Sequence, residues 1–181
     1  DPLPDWLERH REFLSIARRK RVFLKLVVGP HADAGEMEAL ALMDGLLAEL
    51  PGDTFFLEQK AQILLENGRL AEALPLYRQA FEQKPLEPLL GLELAQVEIE
   101  LEQPDLVKSA MQHLEAVTTI EPRNARAWDL LGSAHLRTGE LLESRAAFAR
   151  AVELRVADLV RQLVFTVLVP TILGQAARLI F

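Results

Sequence analysis

Residues 125–151 read ARAWDLLGSAHLRTGELLESRAAFARA. Trp128, Leu131 and His135 recur at steps of three and four, which places them on one face of a helix. Gly139 interrupts the run, where glycine adopts a left-handed cap cheaply. A second helical series follows at the same steps, Ser144, Phe148 and Ala151: small, large, small. The stretch therefore predicts two antiparallel helices. A small residue on the second helix lets the pair approach closely, and the large residue four positions on fills the gap toward whatever packs next.

The same series recurs upstream. Ala39, Met43, Leu46 and then Pro51 form one copy; Ala73, Tyr77, Ala80 and Pro85 a second; Ala110, Leu114, Val117 and Pro122 a third. The prolines are 34 and 37 residues apart. Three extra residues fit at the turn Glu102-Gln103-Pro104-Asp105. Each proline ends a helix because it cannot donate a backbone hydrogen bond. In the last copy Val156 stands where the proline falls. A fixed period of this length marks a stack of similar units, and the pattern resembles the tetratricopeptide repeat (TPR). Trp128-x-x-Leu131-Gly132-x-x-His135 matches its first-helix signature, with His where Tyr is common. The expected fold is all-α, a TPR helical array: an α-solenoid of antiparallel helix hairpins. Helices are predicted over 5–28, 36–50, 54–67, 70–84, 88–102, 105–120, 125–138, 141–155 and 157–181, the last broken at Pro170. Three segments follow: a basic N-terminal helical or linker segment, 1–35; the array, 36–155, with units ending near Pro51, Pro85 and Pro122 and a last unit over 125–155; and an apolar capping or interface helix, 156–181. The first unit is degenerate, since its first helix, Arg21 to Val28, runs into Gly29-Pro30, as expected of an end repeat. The predicted core comprises Ala73, Ala110, Ala151, Leu57, Leu64, Tyr77, Leu94, Leu101, Leu114, Trp128, Leu131 and Phe148.

Composition narrows the function. The net charge is −7, which gives nucleic-acid binding no electrostatic support. Residues 1–25 nonetheless hold seven basic side chains against four acids, including Arg18-Arg19-Lys20-Arg21, which read as a solvated helix face, with contact to anionic lipid or an acidic partner as the alternative. The 181 residues contain no cysteine, which excludes disulfides and thiol chemistry within them. The start, Asp-Pro-Leu-Pro, shows no secretory leader and is expected of a fragment or a mature form.

Catalytic patterns are absent. His10, His31, His113 and His135 form no His-Glu-x-x-His pair, so neither a metal site nor a cofactor is expected. His135, at a repeat core position, reads as a packed histidine. No phosphate loop or Gly-x-Ser-x-Gly occurs. Glu98, Glu100 and Glu102 alternate along one helix and read as non-converging carboxylates of the kind that decorate solvent faces. First helices of such hairpins line an inner groove that takes polypeptide. The expected groove set is Glu58, Gln59, Gln62, Gln96, Arg126, Asp129, Ser133 and Arg137, with Leu65 and Ile99 as apolar points. Arg126 and Asp129, one turn apart, are expected to offer a charge pair beside Gln96. Glu58 and Gln59 stand where carboxylate-gripping TPR domains carry Lys and Asn, so a carboxylate clamp is not expected.

A narrower resemblance covers Ala39 to Ala151. It rests on the run from Phe55 through Lys60-Ala61-Gln62-Ile63-Leu64-Leu65-Glu66-Asn67-Gly68-Arg69 to Tyr77-Arg78. It continues in Leu92-x-Leu94-Ala95-Gln96 and in Glu121-Pro122-x-Asn124-Ala125-x-Ala127-Trp128. These resemble the C-terminal TPR region of BepA-like bacterial envelope zinc metalloproteases. In that family a protease domain precedes the repeats, which are thought to engage outer-membrane assembly machinery and present clients. The resemblance implies a scaffold that binds a protein or peptide partner in the periplasm or cell envelope, with a cytoplasmic scaffold as the alternative. The catalytic motif is missing, so no catalytic residue is carried over. Two further readings stand beside the first: a substrate-delivery or regulatory part of a larger zinc metallopeptidase, and a membrane-anchored TPR adaptor.

The adaptor reading depends on residues 156–181. The apolar run 163–173 is too short to span a bilayer, which needs about 20 apolar residues. The expected alternative is a helix from Ala157 to Val169 folding against the hairpin of Trp128 and Phe148, with one apolar side left open to self-associate or to receive another domain.

Overall fold

A computed structural model describes residues 36–164 and Thr166. The expectations for residues 1–35, and for Pro170 and the rest of the tail beyond Thr166, lie outside the described residues. Among the described residues every regular element is a helix: α1 (Glu36–Glu49), α2 (Thr54–Glu66), α3 (Leu70–Gln83), α4 (Pro88–Glu100), α5 (Pro104–Ile120), α6 (Ala125–Thr138) and α7 (Leu141–Leu163). Six of these agree with the sequence reading to within two residues at either end. The seventh does not. The helix expected to stop at 155 runs unbroken to Leu163, because Val156 replaces the proline and leaves the backbone ladder intact.

Local chemistry sets the boundaries. Asp53 caps α2 by accepting from the backbone N–H of Phe55 and Phe56 at 3.0 and 3.3 Å. Asn124 caps α6 by accepting from Ala127 N at 3.1 Å. Pro88 and Pro104 open α4 and α5, where a missing N–H costs nothing. Gly68 and Gly139 close α2 and α6 in the left-handed region, at φ 72° and 82°.

The chain divides into two compact units, residues 1–80 and 81–181. In the first, α1 packs on α2, and Met43, Leu46, Phe56, Leu57, Ala61, Leu64, Ala73 and Tyr77 are buried. Tyr77 keeps its hydroxyl satisfied by donating to Gln62 Oε1 at 2.8 Å. In the second, α4 packs on α5, α5 on α6 and α6 on α7, and α4 also meets α6. Its core joins Leu92, Ala95, Ile99, Val107, Ala110, Leu114, Val117, Ala127, Leu131, Ala134 and Ala147. Ser144 occupies the small position of the last hairpin and ties its two helices together, donating to Gly132 O at 2.8 Å. The close approach is real at Gly132 too, where an added Cβ would lie 2.8 Å from the Phe148 ring.

Three residues expected in the core are only half-buried: Leu101, Trp128 and Phe148. Leu101 caps the end of α4. Trp128 turns its indole edge outward and donates from Nε1 to Pro122 O at 3.1 Å. Ile99, expected in the groove, is buried in the core.

Candidate polypeptide-binding face

The site is clearest in the second unit, where α4 and α6 are the first helices of successive hairpins. From Leu90 to Ile99 every residue of α4 except Gln96 is buried. Gln96 is thus the window through which that stretch of α4 meets solvent. Arg126, exposed on α6, reaches across and donates from Nη2 to Gln96 Oε1 at 2.6 Å. The amide in turn donates from Nε2 to Glu100 Oε1 at 2.9 Å. Among the described residues the Arg126 guanidinium is met by this neutral amide oxygen and by no carboxylate.

The expected Arg126–Asp129 pair does not form. Asp129 is taken by Arg155 of α7, which arrives from the next helix with better reach than an i, i+3 neighbour. Ser133 turns its hydroxyl back onto its own helix, donating to Asp129 O at 3.1 Å. Arg137 is paired with Glu102 in the turn after α4. The structure therefore brings Gln96, Arg126, Asp129 and Arg155 into one polar strip across α4, α6 and α7. Arg155 was missed by sequence reasoning, and the signal that finds it is its position on the continued helix past Ala151.

In the first unit, Glu58, Gln59 and Gln62 are half-buried on α2. Gln62 accepts from Tyr77 and donates to Glu66 Oε1 at 2.8 Å, so its amide belongs to a local network. Lys60 pairs with Asp44 at 2.5 Å and ties α2 to α1.

The largest departure from expectation is Glu98. It is fully buried, whereas Glu100 and Glu102 are exposed. Its side chain faces α5, where Ser109 Oγ donates to Oε1 at 3.1 Å and His113 Nε2 lies 3.7 Å from Oε2. Ser109 Oγ and His113 Nε2 are 3.3 Å apart, and the His113 ring stands edge-on to Phe81 with centroids 4.7 Å apart. Serine, histidine and carboxylate are together, but a nucleophilic triad needs the acid on one ring nitrogen and the hydroxyl on the other. Here both approach Nε2. The cluster pins α4 to α5. His135 is largely buried, as its core position implies, and its Nδ1 lies 2.5 Å from Glu140 Oε2 in the α6–α7 turn. That bond holds the Glu140 carboxyl below its usual value. Among the described residues no group of three His, Asp or Glu side chains lies close enough to hold a metal ion, and no described helix is long and apolar enough to cross a membrane.

Hairpins of this length and packing, with small residues at the crossings and glycine at the turns, define a repeat-built helical scaffold. The tetratricopeptide-repeat family model matches residues 37–88, 58–120 and 92–157, and the chain belongs to that family. A stretch of 117 residues is 32% identical to the beta-barrel assembly-enhancing protease of Yersinia pestis, covering 65% of this chain and 24% of that protein. The likeness supports a TPR region of the BepA-like kind, and the chain spans about a quarter of that relative. Among solved structures, MamA (41-end) from Desulfovibrio magneticus RS-1 superposes with a TM-score of 0.67 at 22% identity, over 76% of this chain and 74% of that one. The first TPR of Spaghetti (RPAP3) bound to the HSP90 peptide SRMEEVD gives 0.51 at 20% identity, over 56% and 78%. Both likenesses are of fold.

Proposed function

We propose that this chain is a protein-interaction scaffold that holds an extended polypeptide segment of a partner or client against the α4–α6 face, in the assembly or quality control of bacterial envelope proteins. TPR repeats are a protein-interaction scaffold as a class. The observation that carries the finer reading is Arg126: an exposed cation held in place by a neutral amide, beside the one opening in the otherwise buried stretch from Leu90 to Ile99. An acidic side chain of a bound segment satisfies that guanidinium better than an amide oxygen does, and the Gln96 amide released by the exchange can both donate to and accept from the segment's backbone. Asp129 and Arg155 extend the strip with both signs of charge, which suits an extended backbone with mixed side chains.

The test is binding of labelled peptides, acid-bearing and neutral, by fluorescence anisotropy. Arg126→Glu combined with Gln96→Ala is expected to weaken acid-bearing peptides by about tenfold or more, the scale of one charge-assisted contact, with far-UV circular dichroism unchanged. Equal binding by variant and parent retires this face as the site.

The likeness to the Yersinia pestis protease favours a second reading, in which the scaffold is one part of a longer metallopeptidase and delivers substrate to it in cis. A His-Glu-x-x-His motif encoded upstream of Asp1 decides between the two. The same likeness supports a periplasmic location, which cell fractionation tests.

A further inference from the structure

The outer face of α7 is bare where the corresponding face of α5 is covered. The two helices are one repeat apart, so Val107 and Thr118 of α5 correspond to Leu141 and Val152 of α7. Val107 and Thr118 are 3% and 9% exposed, because α6 packs on them; Leu141 and Val152 are 65% and 56% exposed. The last buried residue of α7 is Leu154, yet the helix continues nine residues further, with every one of them exposed. Along this stretch Val152, Val156, Leu159 and Leu163 are spaced four, three and four, and each is more than half exposed. That spacing is a coiled-coil seam. It lies opposite Ser144, Ala147, Ala151 and Leu154, which face α6.

We propose that this seam pairs with the same seam of a second copy of the chain, antiparallel, in a two-fold symmetric dimer. Three features favour that occupant over the first helix of a further repeat. At the α5–α6 junction Pro122 follows the end of the second helix at this register, and α6 folds back over it. In α7 no proline intervenes, and the stripe runs straight past the hairpin, so it fits another straight helix. A second copy supplies one with the same stripe. Antiparallel alignment sets Val152 against Leu163 and Val156 against Leu159, then the same pairs in reverse, so every layer joins one valine with one leucine. The residues bordering the seam then oppose Glu153 to Val160 and Arg155 to Gln162, and no like charges meet. Asp158 points away from the seam, 3.5 Å from both Arg123 and Arg161. Parallel alignment places both hairpins at the same end of the pair, where they crowd each other. Four layers bury less than the about 800 Å² per partner of a standard interface, so the dimer is reversible.

Sedimentation velocity of the full chain, from low micromolar to several hundred micromolar, is expected to show a concentration-dependent shift from monomer to dimer. Val156→Glu with Leu159→Glu, both at exposed positions, is expected to abolish the shift without loss of helicity. The absence of native cysteine permits a second measurement. When Val156→Cys and Leu159→Cys chains are mixed and oxidised, the mixed disulfide is expected to form in preference to either symmetric one. A chain that stays monomeric at every concentration overturns the proposal and leaves the face to residues 167–181 or to another protein. A dimer that survives the double glutamate variant overturns it as well, and a preference for symmetric disulfides overturns the antiparallel arrangement.

Discussion

Glu102 stands in the left-handed region at φ 57°, alone among the described non-glycine residues. The repeat register puts Gly68 and Gly139 at the same place in the neighbouring turns, at φ 72° and 82°. A residue with a Cβ costs about 1–2 kcal/mol there. The carboxylate offsets part of this by pairing with Arg137, but Glu102 is largely exposed and such pairs contribute at most about 1 kcal/mol. Glycine also carries more freedom into the unfolded chain. The balance predicts that Glu102→Gly raises stability by about 0.5 kcal/mol. A higher urea midpoint with an unchanged slope is the expected reading; a loss of stability shows that the Arg137 pair outweighs the backbone strain. Glu98, four residues earlier, shows why single residues are hard to read. Alternation along a helix does not reveal that Ser109 and His113 wait on α5, and a carboxylate with those partners is held inside.

At the level of elements, polar contacts at the turns fix how each hairpin begins. Arg69, in the turn before α3, donates from Nε and Nη2 to both oxygens of Glu72 at 2.8 and 2.7 Å. That bidentate bond, more than the charge alone, holds the Glu72 carboxyl below its usual value of 4.5. The α3 N-terminus adds to the preference for an anion. A folded-state value below the unfolded one contributes stability that is fully present above the unfolded value near 4.5 and is lost as pH falls through the folded value. Carboxyl NMR is expected to place the Glu72 midpoint below 4.5, and Arg69→Gln to return it toward that value. A midpoint unmoved by Arg69→Gln removes the bond as the cause. The elements themselves were legible, because proline, glycine and the three-and-four spacing of Ala73, Tyr77 and Ala80 are local signals. What was not legible depends on neighbours. Nothing in the last hairpin's own pattern says whether another helix covers it, so the sequence alone suggests a break in α7 at 155 and a core that includes Trp128 and Phe148. The groove positions were legible as positions, but their pairing was not: Asp129 chooses Arg155 over Arg126 through space.

For the whole molecule, the second unit has a core of its own. Its cluster runs from Leu92 to Ala147 and draws on four helices, and it is tied internally by Ser144 to Gly132 and by Glu98 to Ser109. In a repeat protein each unit leans on its immediate neighbours, and stability is close to a sum of unit and nearest-neighbour terms. Two complete hairpins with the α5–α6 junction between them supply both kinds of term. A fragment of residues 81–181 is therefore expected to fold alone, with a cooperative urea transition. Because the slope of that transition follows the surface exposed on unfolding, it should be shallower than that of the full chain. The dimer seam on α7 lies inside this fragment, so its unfolding midpoint should also rise with protein concentration. A broad, non-cooperative transition means that the second unit needs residues 1–80 in order to fold. A cooperative transition whose midpoint ignores concentration separates the two claims: it leaves the autonomous core standing and counts against the α7 pairing.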